Sequence, residues 1–313
     1  MRHFLSTLDY SRQELEGLLA AARALKAGPH AQTLAGKSIA LLFFNPSLRT
    51  RTSFELGMHQ LGGKAIVLEP GKGAWPIEFD DNVVMDGEPE EHVREVARVL
   101  SRYVDAIAVR AFPKFQRWEV DREDRVIQSF ARHATVPVIN METITHPCQE
   151  LTLALTMQEK LGRLDGKKLL LTWTYHPRPL NTAVANSALI IAAKMGMDVT
   201  LLCPTPEYRL DDRYMQAAEG LAAAQGRSVT MSHDIASAYK GADIVRGRRV
   251  LVVGAGNTGC DVAVESAQNA SHTWHSTRRG YYYNPKFAIG RPSDQVADSL
   301  LAMRLPLPVR RVL

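Results

Sequence analysis

The feature that most constrains this sequence is an alternation of short apolar runs with stretches of helical periodicity between residues 39 and 232. Each apolar run has the length of a buried strand, and most are followed by a segment whose apolar residues recur every three or four positions. This order predicts parallel sheets with helices on their faces. The runs that we expect to form strands are residues 39–44, 65–68, 106–109, 136–139, 169–172, 199–202 and 229–232.

Helix signals lie before and between these runs. Ser11 and Glu14 form a capping box that opens a helix ending near Lys26, and Thr52 with Glu55 repeats the pattern. Further helical periodicity covers residues 91–103, 120–133, 150–161, 182–195 and 211–224. We therefore predict an α/β protein with two doubly wound parallel-sheet domains, joined by the helix at residues 150–161.

The net charge of the 313-residue chain is +5, and its distribution is uneven. Residues 246–313 hold 10 basic and 4 acidic side chains, whereas residues 1–245 hold 28 and 29. All of the excess positive charge is therefore in the last part of the chain. A basic surface spread over the whole protein is not supported, so we predict neither a nucleic-acid partner nor a membrane partner.

Three cysteines, Cys148, Cys203 and Cys260, are far apart and form no C-x-x-C pair. This pattern indicates neither a disulfide framework nor a structural metal site. No apolar run approaches the roughly 18 residues that would cross a bilayer. The N-terminal residues do not lead into the apolar core of a signal peptide. These observations predict a soluble, cytoplasmic protein.

Hydroxyl and guanidinium groups cluster directly after the first predicted strand. Ser47, Arg49, Thr50 and Thr52 stand at the opening of a predicted helix. A helix N-terminus presents free N–H groups and partial positive charge, which favour a phosphate or a carboxylate. The alternative is that Ser47 or Thr52 only caps the helix while the arginines are solvated.

The positions of other polar residues favour a binding site. Arg110 follows the predicted strand at residues 106–109, and Glu142, His146 and Gln149 follow the one at residues 136–139. Open α/β sheets bind their ligands beyond the carboxyl ends of the strands. We therefore expect these residues to share one crevice with the cluster around Ser47.

Two motifs in order, about a hundred residues apart, resemble the aspartate/ornithine transcarbamylase family. Residues 44–55 read Phe-Asn-Pro-Ser-Leu-Arg-Thr-Arg-Thr-Ser-Phe-Glu, which is similar to the family's carbamoyl-phosphate signature, and residues 146–149 read His-Pro-Cys-Gln, which is similar to its second motif. Four further segments resemble the family's N-acetylornithine branch, namely residues 75–79, 85–87, 140–145 and 172–181. The resemblance covers residues 1 to about 245.

The resemblance implies a carbamoyltransferase of arginine biosynthesis that uses no metal or organic cofactor. It implies transfer of a carbamoyl group from carbamoyl phosphate to the side-chain amine of N-acetylornithine. Residues 1–147 would form the carbamoyl-phosphate-binding domain, and residues 148–313 the amino-acid-binding domain. The family pattern also implies a homotrimer with active sites at subunit interfaces.

The family pattern assigns roles to individual residues. Thr50, Arg110 and His146 are the implied catalytic residues, because they would donate to the carbonyl oxygen as it gains negative charge. The implied carbamoyl-phosphate ligands are Ser47, Leu48, Arg49, Thr50, Trp75, Arg110, His146 and Gln149. Leu48 would bind through its backbone N–H group, since its side chain departs from the Thr or Met that is common there. Gln149 would orient the carbamoyl amide, and Trp75 would reach into a neighbouring subunit.

Two glutamates are the implied substrate-binding residues. Glu142 would bind the amino-acid substrate, and Glu90 stands where the family distinguishes acetylated from succinylated substrates. For Glu90, an acidic residue in the first turn of a helix is an equally good interpretation, because the helix dipole favours it. The sequence leaves open whether the acceptor is N-acetylornithine, N-succinylornithine or ornithine.

The last 68 residues carry a different signal. A predicted strand at residues 249–253 leads into Gly254, Gly256 and Gly259, spaced as G-x-G-x-x-G, and a second predicted strand ends at Ser276. Arg278 and Arg279 follow at a distance that suits the 2′-phosphate of NADP. This segment resembles the NADPH-binding part of flavin-dependent monooxygenases.

The alternatives for the whole chain follow from that segment. The family's His-Cys-Leu-Pro loop, a substrate-binding lysine, a further arginine and its C-terminal helix have no counterpart here. We therefore predict that the second domain is native-like to about residue 245 and atypical beyond it. An NADP-binding oxidoreductase fragment and an inactive fusion product stay open as alternative interpretations.

Overall fold

The computed structural model describes residues 1–28, 32–172, 181–203 and 205–234, with Ala238 and the backbones of four strands nearer the C-terminus. The chain divides into two compact units, Met1–Ile244 and Val245–Leu313. The first unit contains two parallel sheets of three or more strands.

The first sheet has four parallel strands. They are β1 (Ser38–Phe43), β2 (Lys64–Leu68), β5 (Ala106–Arg110) and β6 (Val138–Glu142). Their spatial order is β2-β1-β5-β6. A small parallel pair formed by β3 (Ile77–Glu78) and β4 (Glu91–His92) lies between β2 and β5 in the sequence.

The second sheet has three parallel strands, β7 (Lys168–Thr172), β8 (Asp198–Leu202) and β9 (Val229–Ser232), in that order. The α-helices of the described residues are α1 (Arg12–Ala27), α2 (Leu48–Gln60), α3 (Val93–Tyr103), α4 (Trp118–Asp121), α5 (Arg125–His133), α6 (Pro147–Leu161), α7 (Ala183–Lys194) and α8 (Asp212–Ala223). Helix α6 lies between the last strand of the first sheet and the first strand of the second.

Helices cover both faces of the first sheet. Ala40 and Leu42 of β1 pack with residues of α3 and α5, such as Val96 and Phe130. The alternate residues of β1 face a second cluster that includes side chains of α2. Because successive strand residues point to opposite faces, a strand buried on both sides is apolar throughout, as the run at residues 39–44 is.

The predicted fold class is confirmed: the first unit holds two parallel sheets flanked by helices, and every strand predicted between residues 39 and 232 is present. Four predicted helices differ from the observed ones by more than one residue. Helix α3 begins at Val93 and not at residue 91, because Glu91 and His92 form β4. Helix α2 begins at Leu48 and not at Thr52, and α6 begins at Pro147 and not at residue 150. The helix predicted at residues 120–133 is divided into α4 and α5, because Asp124 has a left-handed backbone (φ 49°).

The described part of the second unit consists of two strand pairs. The strands β10 (Arg249–Val253) and β11 (His272–Ser276) are parallel, and β12 (Phe287–Ala288) is antiparallel to β13 (Arg291–Pro292). The two strands predicted in this segment are therefore confirmed. The fingerprint residues Gly254, Gly256, Gly259, Arg278 and Arg279 lie outside the described residues.

Candidate active site

The ends of three adjacent strands bring the predicted site residues to one edge of the first sheet. Phe43, the last residue of β1, is in register with Arg110 of β5, and Arg110 is in register with Glu142 of β6. The loop to Ser47 leaves the sheet at the same edge. The expected crevice beyond the carboxyl ends of the strands is therefore where the polar residues lie.

The N-terminus of α2 faces this edge with a capped first turn. Ser47 is the N-cap residue, and its Oγ accepts a hydrogen bond from the Thr50 backbone N–H (3.2 Å). The Ser47 hydroxyl also donates to Thr50 Oγ1 (3.0 Å). Leu48 and Arg49 are exposed, so their backbone N–H groups and the Arg49 guanidinium are accessible to an anion.

Arg110 and Glu142 form an ion pair at the ends of their strands. Their side chains are only 9% and 14% exposed, so the pair is largely shielded from water. The guanidinium carbon of Arg110 also lies 4.5 Å from the centroid of the Phe112 ring. Its Nε is buried without a hydrogen-bond partner among the described residues, so one donor of the guanidinium is unused by the ion pair.

The backbone at Glu142 is unusual. Its φ is 152°, a region that favours glycine, and the ladder between β5 and β6 shifts register between Val109 and Arg110. Such bulges redirect side chains, and residues held in sparsely populated backbone regions cluster at functional sites. A hydrogen bond from the Ala111 N–H to the Glu142 carbonyl oxygen (3.1 Å) helps to hold this backbone conformation in place.

His146 is the N-cap residue of α6 and is 9% exposed. Its Nε2 lies 3.7 Å from a carboxylate oxygen of Glu142, so the three side chains of Arg110, Glu142 and His146 meet. Gln149 follows in the first turn of α6 and is half-buried. Burial raises the pKa of the neighbouring Cys148 thiol to about 12, which makes this cysteine a poor nucleophile at neutral pH.

The loop between β6 and α6 is held by polar side chains that the sequence analysis missed. Asn140 donates to the carbonyl oxygen of Leu5 (3.0 Å) and to Thr143 Oγ1 (3.0 Å). The Thr143 hydroxyl donates in turn to the carboxylate of Asp124 (2.5 Å). Burial raises the pKa of Asp124 to about 6 despite this hydrogen bond.

A second group of missed residues lies near the start of α7. Asn186 and Ser187 are 1% and 2% exposed, and both bond to the backbone of the loop at residues 143–146. A signal for them was present, because they form a polar pair inside an otherwise apolar helix. Buried polar residues in such a position need partners, so the pair indicated a contact with another element.

Trp75 and Glu90 are not part of the Arg110 cluster. Trp75 is 62% exposed in the segment before β3, and Glu90 is exposed directly before β4. No hydrogen bond or ion pair joins either of them to Arg110 or Glu142 in the described part of the chain. Glu90 also lies before α3 begins at Val93, so the interpretation as a first-turn acidic residue is wrong.

The described residues contain neither a metal-binding cluster nor a membrane-spanning helix. No group of three or more His, Cys, Asp or Glu side chains is placed to hold a metal ion there. No helix in the described ranges combines the length and the apolar character needed to cross a membrane.

Two family models match the chain. The model described as "Aspartate/ornithine carbamoyltransferase, carbamoyl-P binding domain" matches residues 2–159, and the "Asp/Orn binding domain" model of the same family matches residues 165–271. The second match runs beyond residue 245 and includes the predicted fingerprint Gly254, Gly256 and Gly259.

Individual relatives of this chain are also carbamoyltransferases. The N-acetylornithine carbamoyltransferase of Xanthomonas campestris pv. campestris is 66% identical over 247 residues, which cover 78% of this chain and 73% of that protein. A crystal structure of acetylornithine transcarbamylase complexed with acetylcitrulline has a TM-score of 0.76 and 62% identity, over 80% of this chain and 74% of that one. A variant of N-acetyl-L-ornithine transcarbamylase complexed with carbamyl phosphate and N-succinyl-L-norvaline has a TM-score of 0.76 and 63% identity, over 80% and 75% of the two chains.

Proposed function

The chain belongs to the aspartate/ornithine carbamoyltransferase family, and from that premise we propose that it transfers a carbamoyl group from carbamoyl phosphate to the side-chain amine of N-acetylornithine. The observation that carries this proposal is the meeting of Arg110, Glu142 and His146 beside the capped N-terminus of α2. The chain spans 73% of the Xanthomonas relative, whose name gives the same reaction.

The phosphate group would bind at the N-terminus of α2. Ser47, Thr50 and Arg49 surround free backbone N–H groups there, including that of Leu48, and the helix dipole adds partial positive charge. Arg110 approaches from the adjacent strand and can pair with a phosphate oxygen through its planar fork. The two elements together supply the donors that a dianion requires.

The transfer step would place negative charge on the carbonyl oxygen of carbamoyl phosphate. The neutral amine attacks the carbonyl carbon, a C–N bond forms, and the bond from that carbon to the phosphate oxygen breaks. The proton that the amine loses leaves on the departing phosphate. Thr50, Arg110 and His146 would donate to the oxyanion, and Gln149 would orient the carbamoyl amide. Donors fixed around a developing oxyanion contribute several kcal/mol to catalysis, and losing one costs about 10²–10³ in rate.

Glu142 would bind the amino-acid substrate after exchanging partners. In this structure its carboxylate is paired with Arg110, the residue proposed to hold phosphate. An arriving phosphate competes for the guanidinium and thereby releases the carboxylate of Glu142 toward the acceptor. Glu90 and Trp75 would act from their exposed segments, Glu90 on the acyl group and Trp75 in the site of a neighbouring subunit.

The assembly and location complete the proposal. We propose a cytoplasmic homotrimer, with phosphate binding in residues 1–147 and amino-acid binding in residues 148–313. The reaction proposed here uses neither a metal ion nor an organic cofactor. The alternative of an NADP site depends on Gly254, Gly256, Gly259, Arg278 and Arg279, which lie outside the described residues, and it stays a prediction.

The proposal is tested by measuring formation of the carbamoylated product from carbamoyl phosphate and each of three acceptors, ornithine, N-acetylornithine and N-succinylornithine. We expect turnover with N-acetylornithine. The variant Arg110→Ala should lose about 10²–10³ in kcat/KM, because it removes an oxyanion donor. Arg132→Ala is the matched control, since Arg132 is an exposed arginine of α5 whose only ion pair is at 3.9 Å among the described residues.

A second variant distinguishes binding of the acceptor from binding of carbamoyl phosphate. Glu142→Gln should raise the KM for N-acetylornithine at least tenfold, whereas the affinity for carbamoyl phosphate, measured by isothermal titration, should not fall, because Arg110 loses a competing partner. Absence of product with all three acceptors, on folded protein, would overturn the proposed reaction. Wild-type activity in Arg110→Ala would show that Arg110 does not take part in the reaction.

A further inference from the structure

Helix α7 and the segment before it contact the loop that carries Glu142 and His146. Asn181 Nδ2 donates to the carbonyl oxygen of Thr143 (2.5 Å), and Asn186 Nδ2 donates to that of Ile144 (3.0 Å). The Oγ of Ser187 accepts a hydrogen bond from the backbone N–H of His146 (2.7 Å). Three polar backbone groups of the β6–α6 loop are therefore satisfied from one short segment of the chain.

The contact at Ser187 is the most direct of the three. It is buried at both ends, and it fixes the backbone of His146 itself. A buried N–H group at a helix N-terminus has no partner within its own helix, so an external acceptor must supply one. Asn186, the neighbouring residue, anchors the same loop two positions earlier, at Ile144.

A second buried polar group lies next to the Ser187 hydroxyl. It is the carboxyl group of Glu150, which accepts a hydrogen bond from the Thr7 hydroxyl. Ser187 and Glu150 are 2% and 1% exposed, so water does not compete for the hydrogen bond between the His146 N–H and the Ser187 hydroxyl.

We propose that Ser187 is a positioning residue for His146, with Asn186 supporting the same loop. This inference rests on the proposed function, in which His146 donates to the oxyanion. The Nε2 of His146 lies 3.7 Å from Glu142, so a small displacement of its backbone changes where the ring can donate. Displacements of about 1 Å at a reacting group cost up to about 10²-fold in rate.

The test compares Ser187→Ala with Ser101→Ala. Ser101 of α3 is a matched control, because its Oγ also accepts a backbone N–H, that of Thr135 (2.9 Å). The Ser101 hydroxyl donates to the Ala97 carbonyl oxygen (2.6 Å). The steady-state kcat and KM values are measured for both substrates. Chemical denaturation of each variant gives the change in stability.

The expected result is a loss of about tenfold in kcat for Ser187→Ala, with both KM values within about twofold of wild type. Ser101→Ala should keep the wild-type kcat while losing a comparable amount of stability. If Ser187→Ala does not fold, the pair Ser187→Thr and Ser187→Val replaces it. These two side chains have nearly the same shape, and only threonine retains the hydroxyl, so kcat should be higher in the threonine variant.

A measurement that does not depend on turnover separates this inference from the proposed function. In protein labelled with carbon-13 at the histidine rings, the His146 resonance is assigned from its loss in His146→Asn. Ser187→Ala should move the His146 resonance and its titration midpoint, and Ser101→Ala should leave both unchanged. An unmoved His146 resonance in folded Ser187→Ala, or equal kcat in the threonine and valine variants, would overturn the positioning role. Absence of turnover in wild type would instead overturn the proposed function.

Discussion

Glu150 is a buried acidic residue in the first turn of α6, the helix whose N-cap is His146. It is 1% exposed, and its carboxyl group is surrounded by Thr7, Ser187 and the nearby Lys194 ammonium group. Burial raises the pKa of Glu150 from 4.5 to about 7, because the charged form loses its hydration. The same burial lowers the pKa of Lys194, whose Nζ donates to the carbonyl oxygens of Thr7 and Tyr10 (2.6 Å each).

The raised pKa of Glu150 predicts how stability changes with pH. Between pH 4.5 and 7 the folded state holds a proton on Glu150 that the unfolded state has released. The free energy of unfolding should therefore fall as the pH rises through this window and level off above it. Glu150→Gln carries no such proton, so its stability loss between pH 5 and pH 8 should be smaller than that of wild type, by on the order of 2 kcal/mol.

Chemical denaturation at pH 5 and pH 8 measures this difference. Glu219→Gln on the exposed face of α8 is the control, and it should follow the wild-type pH dependence. The pKa of Asp124 is also raised, to about 6, so this residue lowers the free energy of unfolding with rising pH in wild type and in both variants. Identical pH dependence in wild type and Glu150→Gln would show that Glu150 is already ionised in the folded state at pH 5.

At the scale of elements, the start of α2 decides how the anion site is built. Two residues, Ser47 and Thr52, have side chains that could cap this helix, and Thr52 with Glu55 matches the capping-box pattern. The structure uses Ser47, whose Oγ accepts the Thr50 N–H, and places Thr52 inside the helix. The earlier start puts Leu48, Arg49 and Thr50 in the first turn, where the backbone N–H groups of Leu48 and Arg49 have no partner within the helix.

This assignment predicts unequal effects of two similar substitutions. Ser47→Ala should lower the free energy of unfolding by about 1 kcal/mol, because it removes the N-cap hydrogen bond. Thr52→Ala, at an exposed position within the helix, should change it by less than about 0.5 kcal/mol. Urea denaturation of both variants measures the difference. A larger loss of stability in Thr52→Ala than in Ser47→Ala would show that Thr52 is the N-cap.

For the whole molecule, the N-terminal helix packs away from the sheet that follows it in sequence. Leu15 and Leu19 of α1 are buried in the same cluster as Met157 of α6, Leu189 of α7 and Leu201 of β8. Arg12 of α1 also donates a hydrogen bond to Gln225 (2.6 Å), and Lys26 pairs with Glu159 (2.8 Å). The core around the second sheet therefore includes residues from the start of the chain.

The proposed trimer makes a prediction at the same scale. If Trp75 completes a neighbouring subunit's site, Trp75→Ala and Arg110→Ala are each inactive alone, but a mixed trimer contains sites with both side chains intact. Random assembly of equal amounts gives about one quarter of the wild-type activity. The activity of the co-expressed variants measures the recovered fraction. Light scattering gives the mass of the assembly and thereby checks that it is a trimer.

The control for subunit mixing pairs Arg110→Ala with His146→Ala. Both side chains approach Glu142 within one chain, so no mixed trimer can restore a complete site. Recovery of activity in this control would mean that these residues also act between subunits. If the mixture of Trp75→Ala and Arg110→Ala recovers no activity, each active site is formed by a single subunit.

The amino-acid sequence by itself determined the fold class and the edge of the sheet that carries the site. Strands such as β1 and β5 are continuous apolar runs, and such runs follow from burial on both faces, which is a local property of sequence. Arg110, Glu142 and His146 could be placed together because parallel strands end at a common edge. The break at Asp124 was not predicted, and the choice of Ser47 over Thr52 as the N-cap of α2 was left open, since both side chains suit that role.

Only the tertiary structure decided which residues support the site from a distance. The pairing of Arg110 with Glu142, and the hydrogen bond from His146 to Ser187 across 41 positions of sequence, depend on how separate elements pack. Periodicity reports which face of a helix is buried and not which polar group it meets there. Such partners are set by burial, because a buried N–H group or carboxylate must find the acceptor or donor that the packed neighbour presents.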